Sequence, residues 1–226
     1  ATTVNSSCTI AATYNGVAQA STCNVTSPKI TASTNTPTVV GYSTSASGTS
    51  SSWNQSTAKA VSSNATYYAI TKKDAKTITI TFNKNGASSV SDTSKSCTIA
   101  ATYNGTAQAT SCSVTSPTIT AASGFSVLGF NTSTSSTSSA WSQNTAKSVS
   151  ANDTYYAVTR SSSQYTGTFN ANGATIGSTS QSCYRYNGAS SCNITTPSIT
   201  RSGFTITGWG TSASATTAAV KANTSL

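Results

Sequence analysis

The sequence predicts a mostly β protein built as a tandem array of small modules, each stapled by a disulfide. Three observations carry this expectation. A repeat of about 90 residues is legible by eye, cysteines bracket Asn-Gly pairs symmetrically, and short alternating segments of Ile, Val and Phe occur with no long helical period.

The repeat comes first. CTIAATYNGVAQASTCNVTSPKI, from Cys8 to Ile30, returns as CTIAATYNGTAQATSCSVTSPTI from Cys97 to Ile119. The segment around Trp53 returns around Trp141, and TITFNKNGA around Phe82 returns as TGTFNANGA around Phe169. A diverged third copy follows with SCYRYNGASSCNITTPSIT. The expected organisation is a partial module over 1–76 lacking its first strand, a complete module over 77–160, and a partial module over 161–226 lacking its last strand.

The cysteine-bounded segments come next. Asn15-Gly16 is the residue pair a two-residue type I′ hairpin turn requires. Counting outward from it sets Cys8 opposite Cys23. Asn104-Gly105 likewise sets Cys97 opposite Cys112, and Asn187-Gly188 sets Cys183 opposite Cys192. Directly opposed strand residues lie roughly 4.5–5.5 Å apart, which a disulfide accepts. The expected bonds are therefore Cys8–Cys23, Cys97–Cys112 and Cys183–Cys192, against free thiols or pairing between modules. The long arms carry Ala, Thr and Gln, and either project from the body or lie as an edge.

The remaining elements also read as β. Ile78, Ile80 and Phe82 alternate on one face of a strand, followed by the turn Asn85-Gly86. Phe125, Val127 and Phe130 surround Gly129; Phe204, Ile206 and Trp209 surround Gly208. TAKAVSSN and TAKSVSAN read as a short helical turn or a loop.

Composition narrows the function. The chain holds 12 Lys+Arg, 3 Asp+Glu and no His, for a formal net charge of +9. Without histidine there is no His-based general base and no His metal ligand. The three acids, Asp74, Asp92 and Asp153, are scattered, so paired-carboxylate chemistry is not expected. No enzyme activity, cofactor or metal is expected. The basic residues are spread out rather than striped, which argues against nucleic acid. Six cysteines in a polar chain point to an oxidising, extracellular or cell-surface setting. No apolar run approaches the roughly 18 residues of a spanning helix.

These residues carry a family likeness. Phe169-Asn170-Ala171-Asn172-Gly173, then Pro197 with Gly203-Phe204 and Gly208-Trp209, then the Tyr155-Tyr156-Ala157 type of strand, resemble the Listeria–Bacteroides repeat, or internalin B-repeat. That resemblance implies small β-grasp-like modules in tandem on bacterial surface proteins. The first copy departs from it, with Val40-Gly41-Tyr42 where Gly-Trp would stand, and the cysteine-bounded hairpin is an addition.

The expected function is structural: a repeat stalk, or the subunit of an extracellular, pilus-like filament supporting adhesion. Its partners would be copies of itself or further repeats of a longer chain, end to end. The alternative is a non-catalytic module for glycan or anionic cell-wall polymer, with Trp53, Trp141, Tyr14 and Tyr103 as candidate contacts.

Overall fold

The computed structural model describes residues 3–226. The fold is all-β, with several small sheets and no helix among the described residues. The chain divides into two compact units, Ala1–Ile78 with Cys97–Cys112, and Thr79–Ser96 with Ser113–Leu226. The hairpin of the second sequence copy thus belongs to the same unit as the first copy.

In the first unit, Thr38–Ser43 pairs antiparallel with Tyr68–Lys73, and Thr102–Tyr103 adds to the other edge of Tyr68–Lys73. Cys23–Thr26 pairs with Ala58–Val61. Ile30 and Ile70 are buried beneath these strands.

Within the second unit the main sheet runs Phe125–Asn131, Asp153–Ser161, then Lys76–Asn83 from Thr79 onward, then Ser94–Ile99 as far as Ser96. The centre is parallel: Asp153 to Tyr156 face Ile80 to Asn83. Ile80, Phe82, Phe130, Trp141, Tyr155 and Val158 are all buried, so the alternation in ITITFN puts its apolar face into this core. Phe82 lies 5.0 Å from Phe130 and 5.5 Å from Trp141, and Trp141 meets Tyr155 edge-on at 5.0 Å. A bulge falls between Val127 and Gly129. Gly129 sits at φ 136°, where a Cβ would meet the Trp141 carbonyl, so only glycine lets the Trp141 segment close on this strand.

A buried hydroxyl ties each copy's Pro-containing segment to a distant turn. Ser116 Oγ donates to the Ser142 carbonyl at 2.6 Å and accepts from the Thr145 amide at 3.2 Å. Ser27 does the same with Asn54 and Thr57, and Thr196 with Lys221 and Thr224.

Several expectations need correction. TAKAVSSN and TAKSVSAN are neither helical nor loop throughout, because Ala58–Val61 and Ala146–Val149 are strands paired with the segments after Cys23 and Cys112. The arms of the first hairpin, 9–13 and 18–22, form no ladder. Their side chains are small, so cross-strand pairs offer little to hold one. The segment around Gly208 is not a regular strand, although Trp209 bridges to Val220.

The disulfides join Cys8–Cys23, Cys97–Cys112 and Cys183–Cys192, with Cα separations of 5.9, 5.9 and 6.0 Å. All three Asn-Gly pairs have positive φ at both residues, as a type I′ turn demands. Each closes with one short-range bond: Val17 N to Tyr14 O, Thr106 N to Tyr103 O, Ala189 N to Tyr186 O.

Candidate functional site

Two of the three hairpin tips pair with other segments. The second tip lies against Tyr68–Lys73, with Tyr103 opposite Lys72 and Thr102 opposite Lys73. Asn104 completes the seat. Its amide donates to the Thr71 carbonyl at 2.9 Å, and its Oδ1 accepts from the Thr71 amide at 3.4 Å. Its Nδ2 donates to the carbonyls of Ala46 and Gly48, at 3.1 and 3.2 Å.

The third tip repeats this in the second unit. Asn187 donates from its amide to the Thr159 carbonyl at 2.9 Å and accepts from the Thr159 amide at 3.1 Å. Its Nδ2 donates to the Thr134 and Ser136 carbonyls, both at 3.0 Å. Tyr186 bridges to Arg160 just beyond. Ala46 and Thr134 occupy equivalent places in the copies, as do Gly48 and Ser136, and Thr71 and Thr159.

One asparagine thus satisfies four backbone groups of another segment. Aspartate could not do this, since it lacks the amide hydrogens for the two loop carbonyls. Each bond is worth about 1 kcal/mol net, and more if a buried partner is left unpaired.

The two seats differ in their walls. At the first, Gly105 N donates to Thr36 Oγ1 at 3.1 Å, and Thr36 Oγ1 lies 2.7 Å from Thr71 Oγ1. At the second, a further Asn-Gly turn stands behind the tip. Asn85 Nδ2 donates to the Thr134 and Ala157 carbonyls at 3.0 Å each, and a Cβ on Gly86 would collide with the Asn187 carbonyl. Thr159 Oγ1 is buried there with no hydrogen-bond partner among the described residues.

No family model, curated protein or solved structure matches this chain.

The candidate glycan contacts do not converge. Trp141 is 4% exposed and its ring is covered by Phe82 and Tyr155, leaving no open face. Trp53 is half-buried, between Tyr42 and Tyr67. Tyr103 is half-buried in the first seat, while Tyr14 stands open at 76% exposure. Two lysines lie over these aromatic clusters: Lys147 is 4.9 Å over the Tyr155 ring and Lys59 is 5.0 Å over the Tyr67 ring. Lys72 pairs with Asp74 at 2.7 Å, and that hydrogen bond raises the Lys72 pKa above its ordinary value.

Two further features complete the picture. An open polar cleft of about 480 Å³ is lined by Thr79, Thr81, Thr132, Asn152, Asp153, Thr154 and Tyr156. Among the described residues no group of three or more His, Cys, Asp and Glu could hold a metal ion.

Sequence reasoning identified the turn residues but gave them only a local role. The signal for more was the third hairpin. Its arms are short, yet Tyr-Asn-Gly is kept at its tip, and a bare turn would not require the tyrosine.

Proposed function

We propose that the chain is a structural repeat protein of the cell surface or extracellular space, acting as a stalk or as the subunit of a filament that supports adhesion. The carrying observation is the double use of one asparagine seat. Asn104 and Asn187 join their hairpins to strands of the preceding sequence copy by the same four bonds. A seat made from backbone groups can recur along an array with little dependence on the side chains that line it. Its natural partners are copies of the chain or further repeats, end to end. The modules then correspond to 1–76, 77–160 and 161–226.

Within that reading the modules are β-grasp-like, as the family resemblance implies. The first and last strands of the second copy lie side by side and parallel, which supports it. Imaging of native material tests the function: threads or stalks are expected, and dispersed compact particles at every concentration would refute it. A mass far above 22.8 kDa under denaturing conditions would show that the threads are covalent rather than self-assembled.

The second reading is binding of glycan or anionic cell-wall polymer. The polar cleft beside Asp153 and the open Tyr14 ring favour it. Saturable retention on cell-wall polymer is its expected sign, and no retention by any such polymer would eliminate it.

A further inference from the structure

The first tip has the same sequence as the second through Tyr-Asn-Gly, and the same turn. Its environment is different. Tyr14 and Val17 are 76% and 67% exposed, while Tyr103 is half-buried. A Cβ on Gly16 would meet nothing within 4 Å. Among the described residues, Asn15 makes none of the four bonds that Asn104 and Asn187 make. The loop is nonetheless held in shape, by the Cys8–Cys23 bond, by Val17 N to Tyr14 O, and by Gln19 Nε2 donating to the Ala11 carbonyl. The corresponding glutamine, Gln108, makes the same arm-to-arm bond to Ala100 in the seated hairpin.

We infer that the Tyr14-Asn15-Gly16 turn is a preformed plug for the seat of another unit of this repeat. This rests on the structural-repeat reading and assigns its contact. The recognised chemistry is specific. The seat offers one strand-edge residue with both N–H and C=O free, at the place of Thr71 or Thr159. It also offers two loop carbonyls two residues apart, at the places of Ala46 and Gly48 or Thr134 and Ser136. The seats at Thr71 and Thr159 already hold Asn104 and Asn187. The partner is therefore a further unit, placed ahead of the plug as both seated cases place theirs. Asn15 supplies a donor and an acceptor to the strand edge and its amide hydrogens to the loop. Pre-ordering of the turn lowers the entropy lost on docking.

Two variants of the full chain test this, read by hydrogen exchange of single amides. In the first, residues 77–160 followed by residues 73–89 are inserted ahead of Ala1, which supplies a Thr77–Phe82-type strand and sets Asn15 33 residues after the seat threonine, the spacing between Thr71 and Asn104. The Asn15 amide is expected to slow by about tenfold or more, toward the rate of Asn104, and Asn15→Asp is expected to restore fast exchange. Unchanged exchange at Asn15 beside a protected Asn104 would overturn the proposal. The second variant needs no added unit. T106V, T110S and S111T convert the second hairpin into the sequence of the first. Asn104 is expected to stay as protected as in the native chain. Loss of that protection would show that the first hairpin is not a competent plug. Failure to find threads by imaging, with Asn15 docked in the tandem, would refute the filament reading and leave the plug standing.

Discussion

The Trp53 and Trp141 regions have nearly the same sequence but different interiors. Trp141 is 4% exposed, packed on Phe82 and Tyr155. Trp53 is half-buried, with Tyr67 on one side and Tyr42 on the other. Both indoles make the same local bond, Nε1 donating to Thr57 O at 3.1 Å or Thr145 O at 3.0 Å, and both carry a lysine over the ring. The local motif is therefore intact in each. The difference lies in the segment Thr79 to Ala87, which supplies Phe82 to the core and Gly86 to the back of the seat. Burial in this fold is a property of the strand that arrives from elsewhere, not of the tryptophan's own neighbourhood.

The largest expected effect follows directly. Trp141→Ala and Phe82→Ala should each cost about 3–5 kcal/mol, and Trp53→Ala clearly less, as read by denaturant unfolding. Equal losses at the two tryptophans would break the comparison. Next are the disulfides. Removing either bond that spans 15 residues should cost about 3 kcal/mol, and removing the one spanning 9 about half a kcal/mol less. Gly86→Ala combines a positive φ with collision against the Asn187 backbone, whereas Gly105→Ala meets only the positive φ. The first should cost about 2–3 kcal/mol and the second about 1.

A smaller change separates the seats by sign. Thr71→Val loses the hydroxyl contact with Thr36 and should cost about 1 kcal/mol. Thr159→Val removes a buried hydroxyl without a partner, and should be neutral or stabilising. The weakest effect is that of pH. Folding raises the Lys72 pKa, chiefly through its hydrogen bond to Asp74. Its contribution is complete below the unfolded lysine value and fades as pH rises through the folded one. Asp74→Ala should flatten this alkaline limb of a stability–pH profile and change little at neutral pH.

Much of the fold was legible where the controlling forces are local. Asn-Gly fixes the turn, the turn fixes which cysteines meet, and alternation in Thr77 to Phe82 fixes the buried face. A symmetric count around a turn implies cross-strand pairing, which the arms of the first hairpin do not form. The small Ala and Thr side chains there give such pairing little support. The seats were not legible at all. The bonds of Asn104 reach 33 residues back to Thr71 and 58 back to Ala46, to backbone groups that carry no side-chain signature. TAKSVSAN was ambiguous for a related reason. Its strand exists because Ala146–Val149 meets the segment after Cys112, a partner the local sequence does not announce.

One asparagine holds each seat, and native-state hydrogen exchange of the intact chain tests this most directly. The amides of Asn104, Asn187, Thr71 and Thr159 should be protected together, with Asn15 exchanging freely in the same sample. Asn104 and Asn187 exchanging as fast as Asn15 would contradict the joint and the function built on it.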